Sequence, residues 1–292
     1  MSRLVLLLLF PILLSAADLT VDHVTVAGKD LKVITANLAA VGLKCEYGGA
    51  HSNHATEMAL TSFPDGSYLE LIAVQPNADP AALAAHVWAT QMQNNAGPCA
   101  WALRAPDITM EVDQLKAAGI AVSAPVRNGR KRPDGTQLEW ETAQVGHEPN
   151  GTFFPFLIRD FTPRRERAFP SGRPTTKDFS GIAKVVIAVR DLQASIDRYR
   201  TAFHLSPPIR QVDTSFGAHL ASFGGTPVIL ATPLTPQSWL VARLDQFGEG
   251  PCAFILGARK PGRYAAASKM PWFGIDVSWF DPNKLGWHLG FE

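Results

Sequence analysis

Apolar and polar residues alternate along 22–27 (DHVTVA), and the period then changes to that of a helix across 30–41 (DLKVITANLAAV). Asp30 is placed to cap that helix and Gly42 to stop it. Extended segments follow near 44–48, 54–63 and 67–74, with Pro64-Asp65-Gly66 as the turn between the last two. The pattern predicts a βαβββ module. A second one runs through strand 99–104, helix 107–118 ended by Gly119, and strands near 120–127, 136–144 and 152–159, with a hairpin turn at RPDG (132–135). A third has strand 182–189, helix 191–203 and strands near 209–212, 216–223 and 227–231, turning at Gly224-Gly225. A fourth opens with strand 252–258, but the Trp-, Gly- and Pro-rich stretch after it shows no clear helix, so it is degenerate or truncated.

Internal repetition supports this division. GPCAWALRAPD (97–107) is echoed by GPCAFILGARK (250–260), and DHVTVAGKDL (22–31) by AKVVIAVRDL (183–192). The expected fold is α+β, built from about four tandem βαβββ modules in two domains, 18–160 and 180–292. The Arg- and Pro-rich segment between them (161–179) reads as a surface linker, with anion binding by its arginines as a minor alternative.

The N-terminus follows another pattern. Arg3, an apolar run from Leu4 to Leu14 and the small residues Ser15, Ala16 and Ala17 read as a secretory signal peptide spanning 1–17. The run is about 11 residues, against the roughly 20 of a membrane-spanning helix. The mature protein is therefore expected in the periplasm or outside the cell, without a membrane span; an uncleaved anchor is the alternative. With 292 residues, 46% hydrophobic, 18% charged and a net charge of +1, the chain has no global field for nucleic acid or an anionic membrane. A small-molecule substrate or ligand is the partner this leaves, with homodimerisation open. Three cysteines, Cys45, Cys99 and Cys252, do not make a disulfide framework.

Two ionisable residues sit inside apolar strands. His23 lies within LTVDHVTVAG and Glu70 within GSYLELIAV, where Tyr68, Glu70 and Ile72 share one strand face. Burying a carboxylate there costs several kcal/mol unless it is paired, hydrogen-bonded or metal-bound. Arg130 and Arg132 precede the RPDG hairpin, and Glu139, Trp140 and Glu141 follow it. A guanidinium at that place can hold a substrate carboxylate, with Trp140 beside it, although ordinary charge pairing is the simpler account. No Ser/His/Asp constellation, phosphate-binding glycine loop or paired-cysteine zinc motif is found, and no organic cofactor is implied. Trp239, Trp272, Trp279 and Trp287 read as core of the second half.

The tandem modules, with DHVTV as first strand and YLELIAV as fourth, resemble the vicinal oxygen chelate superfamily. GGAHSNHATEMAL, DGSYLELIAV, LKAAGIAVSAP and RPDGTQLEW look more narrowly like its glyoxalase-like domain proteins. The resemblance implies a cup formed by two modules with a divalent metal (Zn, Mn, Fe or Ni) at its floor, each module giving a ligand from its first and fourth strands. Here those positions in module one are His23 and Glu70. The other modules depart from the pattern: Ala100 and Lys184 stand opposite His23, Phe156 stands opposite Glu70, and PVILATP has no carboxylate. A third ligand would come from His51 or His54, with His147 and Glu148 as second choices; Glu57 is a candidate base. The implied activity is a metal-dependent lyase, isomerase or dioxygenase acting on vicinal oxygens. The rivals are a metal-free His–Glu pair and a non-catalytic binding or sequestering protein of bleomycin-resistance type.

Overall fold

The computed structural model describes residues 19–132 and 134–292, so the leader at 1–17 lies outside the described residues. Module one comprises β1 (Val21–Ala27), α1 (Leu31–Ala40), β2 (Glu46–Ala50), β3 (Thr56–Ser62) and β4 (Tyr68–Val74). Two short helices, α2 (Pro80–Ala84) and α3 (Ala89–Gln93), lead to module two: β5 (Gly97–Arg104), α4 (Ile108–Ala117), β6 (Val126–Lys131), β7 (Gln137–Ala143) and β8 (Phe156–Asp160). After α5 (Arg164–Ala168) comes module three, with β9 (Phe179–Ala188), α6 (Leu192–Phe203), β10 (Ile209–Asp213), β11 (Ala218–Ser222) and β12 (Val228–Pro233). Helix α7 (Trp239–Phe247) precedes β13 (Gly250–Ala258), β14 (Ser268–Trp272), β15 (Ile275–Trp279), α8 (Pro282–Leu285) and β16 (His288–Phe291).

The module helices start where an aspartate supplies the cap. Asp30, Asp107 and Asp191 accept hydrogen bonds from backbone N–H groups of the first turns of α1, α4 and α6. Module four has Lys260-Pro261-Gly262 at that place, and only a single 3₁₀ turn (Pro261–Arg263) forms. Its strands are complete, so the module is degenerate in its helix alone.

Each domain is one eight-stranded sheet, in the orders β2-β3-β4-β1-β5-β8-β7-β6 and β10-β11-β12-β9-β13-β16-β15-β14. The modules join through the antiparallel pairs β1–β5 and β9–β13. Both echoed GPC segments bulge at the same place, with Cys99 and Cys252 as the extra residues against β1 and β9. A third bulge falls at Asp22, because Val21 pairs with Leu103 while His23 pairs with Ala102. All three cysteines are free.

Three expectations need correction. The strand drawn at 120–127 begins only at Val126, since Val122 makes an isolated bridge to Val145. Helices α2, α3 and α7 occupy segments in which none was drawn; α2 has Asp79 as cap with Pro80 in its first turn, and α7 is capped by Ser238. The segment 161–179 is more than a surface linker, because α5 buries Arg167 to 4% exposure. Its guanidinium finds two buried or half-buried carboxylates there, Asp22 and Asp160, which satisfy its charge.

One hydrophobic cluster runs through both domains, joining Leu38 of α1, Val112 of α4 and Tyr199 of α6 to Val185, Phe254 and Phe291. Arg243 of α7 spans the junction, donating to the carbonyls of Ala96 and of the two equivalent prolines, Pro98 and Pro251. The concave faces differ. That of the second sheet is filled by Leu240 and Leu244 of α7 with Phe216, Trp272 and Trp279, and His288 stacks on Trp239 at 4.2 Å. That of the first sheet is partly open.

Candidate functional site

The open face of the first sheet holds a cavity of about 300 Å³, with His23, His51, Glu70 and His86 among its lining residues. The sheet curls until its two edge strands approach each other. Arg130 of β6 reaches across and donates from Nη1 to the Gly48 carbonyl of β2 at 2.7 Å, and Ser52 Oγ donates to the Gly129 carbonyl at 3.4 Å. Gly48 has Met58 against it, where an added Cβ would lie 3.0 Å from the Met58 methyl.

His23 and Glu70 come together at the floor because β1 and β4 are parallel neighbours, with Thr25 opposite Glu70 in register. Thr25 Oγ1 donates to Glu70 Oε2 at 3.2 Å. His23 Nε2 stands 3.8 Å from the same oxygen, and His51 Nε2 stands 3.7 Å from Oε1. Glu70 is 8% exposed. Its carboxylate therefore has one hydroxyl hydrogen bond among the described residues and two imidazole nitrogens just beyond hydrogen-bond reach.

The ring of His23 is held from behind. Asp22 Oδ1 lies 2.6 Å from Nδ1, the Tyr68 ring is stacked at 4.8 Å and the edge of Phe156 closes the third side. Asp22 is fully buried and also receives Arg164 and Arg167. Burial pushes its carboxyl up, but Arg167, then Arg164 and His23, outweigh that and hold it well below its usual range. An ionised Asp22 can only accept, so the proton on His23 sits at Nδ1 and Nε2 faces Glu70. His51 Nδ1 is engaged by Thr56 Oγ1 at 2.7 Å. Burial, opposed by Glu70 and aided by Arg130, lowers the pKa of His51, which is neutral near pH 7.

The remaining sequence candidates divide. Arg130 and Trp140 line the cavity. Arg132 does not: it donates to the carbonyls of Glu166 and Pro170 and pairs with Asp134 at 3.1 Å, because it lies just past the point where the sheet closes. His54 is exposed in a left-handed turn (φ 57°) and does not line the cavity. Glu57 alternates with Met58, a cavity residue, and so faces the other side of β3, where Tyr47 donates to it. His147 is exposed, and Glu148 is taken by Arg198 of α6.

The residues that sequence reasoning missed are Asp22, Arg167, His86 and Trp88. Asp22 escapes because strict alternation sends it to the opposite face from His23; the bulge overrides that. His86 and Trp88 come from the segment between the modules, whose Asp79-Pro80 pair is a helix-start signal. His86 Nδ1 accepts from the Trp88 N–H at 3.2 Å, and Trp88 Nε1 donates to the Asn150 carbonyl. Burial, then the nearby His51, lowers the pKa of His86.

The donor set does not fit the metal centre that the resemblance implies. Among the described residues no group of three or more His, Cys, Asp or Glu side chains is arranged to hold an ion. His23 and His51 address different oxygens of Glu70 rather than one point, whereas a bound divalent ion ordinarily has at least three protein donors. The other modules offer nothing at the corresponding places. Register puts Phe156, Ile229 and Gly290 where module one has Glu70, and Ala100, Lys184 and Ala253 where it has His23.

Paired βαβββ modules, curled around a cup with a first-strand histidine and a fourth-strand glutamate, define the class as the vicinal oxygen chelate type. The glyoxalase-like domain family matches residues 21–203, well over half of the chain, and the protein belongs to that family. A hypothetical protein from Staphylococcus aureus superposes over 94% of this chain and 98% of its own, with a TM-score of 0.65 and 15% identity. Methylmalonyl-CoA epimerase from Mycobacterium tuberculosis matches 40% of this chain and 89% of its own, with a TM-score of 0.36 and 16% identity. At 15% identity the likeness to the Staphylococcus aureus protein is one of fold alone. No curated protein sequence matches the chain.

Proposed function

We propose that the N-terminal cup is the working site of a small-molecule enzyme of the proton-transfer kind, an isomerase, epimerase or lyase, with Glu70 as the group that takes up and returns the proton. The observation that carries this reading is the setting of Glu70: a buried carboxylate at a cavity floor, with one hydroxyl hydrogen bond and two oriented imidazoles 3.7–3.8 Å away. A carboxylate held at the cavity floor, with an oxygen free of any direct hydrogen bond, is placed to accept a proton from a bound C–H acid. Asp22 fixes the tautomer of His23, so that Nε2 is presented to a bound substrate or to Glu70. Neutral His51 keeps Nδ1 on Thr56 and turns Nε2 toward the same space. Trp88, Trp140 and Phe156 supply apolar walls that exclude water from the transfer. The second domain, its concavity filled, acts as a buttress.

Deuterium exchange tests this directly. Small oxygenated carboxylates and carbonyl compounds are incubated with the protein in D₂O, and their C–H signals are followed by NMR. Enzyme-dependent loss of a C–H signal is expected, slowed by roughly 10²-fold or more in Glu70→Gln, the usual scale for a general base. Ligands that bind without exchange would make the cup a sequestering site instead. The reading of residues 1–17 adds that the protein is exported. N-terminal sequencing of the mature chain should begin near Asp18, and a start at Met1 or Ser2 would refute it.

A further inference from the structure

Arg130 is buried to 5% exposure, yet among the described residues it has no carboxylate partner. Its hydrogen bond to the Gly48 carbonyl is a neutral contact, and the Glu70 carboxylate acts on the guanidinium only across the cavity, beyond ion-pair distance. The neighbouring arginines differ in this respect. Arg167 is matched by Asp22 and Asp160, and Arg132 by Asp134 and Glu166. A guanidinium taken out of water without an anion is costly, and structures retain one where a ligand supplies the missing charge. Arg130 also forms part of the wall between two spaces: the main cavity and a smaller one of about 170 Å³ bounded by Tyr47, Arg132, Pro170 and the two carboxylates, Asp134 and Glu166, that pair with Arg132.

Resting on the cup reading above, we propose that Arg130 is the anion hook of the site, and that the substrate is a small carboxylate whose –COO⁻ docks on this guanidinium while its body lies over Glu70. Two features favour a carboxylate over a phosphate. A single planar guanidinium matches a planar monoanion, and no second unpaired arginine or lysine lines the main cavity among the described residues. Glu70 across the same cavity further disfavours a dianion. The cavity lies at the lower end of the roughly 300–1,000 Å³ usual for ligand pockets, which keeps the body of the molecule small. With the carboxylate fixed at one wall, the carbon next to it is the atom presented to Glu70, and this selects an acid that is oxygenated or activated at that position.

The test compares lactate with its neutral amide, lactamide, by titrating each into the full chain while observing the histidine imidazole resonances. Lactate should shift the signals of the cup histidines at concentrations roughly tenfold or more below those lactamide needs, a charge-assisted preference. Arg130→Met should abolish the preference, so that both probes bind alike, and Arg130→Lys should restore part of it. Near-UV circular dichroism on each variant checks that the tertiary packing of the aromatic residues around the cup is retained without the Arg130 contact to Gly48. Lactamide binding as tightly as lactate to the wild type would overturn the hook and leave the cup reading standing. Failure of both probes to move the histidines would overturn both.

Discussion

Asp22 does more at the site than either residue the sequence brought forward. It orients His23, and it is the common anion for Arg164 and Arg167. Asp22→Asn would leave Arg167 with half its countercharge in a buried position. A loss of about 3–5 kcal/mol is expected, the range for breaking a buried pair, read from urea denaturation midpoints. His23 and Glu70 were legible because an ionisable group in an apolar strand is conspicuous by itself. Asp22 was not, since its placement depends on a bulge that only pairing with β5 reveals. The same local view misplaced Glu57 and His54, whose identities fit a site while their strand face and backbone conformation do not. Metal content follows from the donor geometry. After incubation with Zn²⁺, Mn²⁺, Fe²⁺ or Ni²⁺ and desalting, elemental analysis should find well under one ion per chain. Near-stoichiometric metal lost in both His23→Ala and Glu70→Ala would reverse that conclusion.

Among the elements, the tandem modules were readable because the first three repeat an apolar strand and an aspartate cap, and the first two add a glycine stop at Gly42 and Gly119. The intervening helices were less so, being short or lacking a repeated counterpart. Helix α7 shows what such an insertion can do. It brings Trp239 onto His288 and fills a cup that would otherwise match the first. Burial, then the charge of Arg243, pushes the His288 imidazole down to about 4. Between its unfolded value of about 6.5 and that point, the unfolded chain takes up a proton that the folded chain refuses. Stability should therefore fall as pH drops from 6.5 toward 4, by at most roughly 3 kcal/mol from this residue. His288→Phe, which keeps the stack, should show a shallower decline in urea midpoints between pH 7 and 4.5. Equal slopes in the two proteins would assign the effect elsewhere.

For the whole molecule, the two domains suggested by the repeats are not independent bodies. Leu38, Val112, Tyr199, Val185 and Phe254 belong to one apolar cluster, and Arg243 ties both GPC segments together. Thermal unfolding should be a single calorimetric transition, with calorimetric and van't Hoff enthalpies in agreement. Two resolved transitions would contradict the shared core. The sequence could not disclose this union. Residue patterns reveal which face of an element is apolar, but not whether two such faces meet each other or a third partner.

The unequal filling of the two concavities also divides the protein's tryptophans. Trp88 and Trp140 line the open cup, whereas Trp239, Trp272 and Trp279 are packed into the closed one, and Trp101 and Trp287 are buried in the shared interior. A molecule entering the cup can quench only the first pair by contact. The other five emit against a background that the ligand does not touch. The chain therefore carries both a fluorescent reporter of occupancy and its own internal reference, and an unlabelled sample can be screened by emission shape alone.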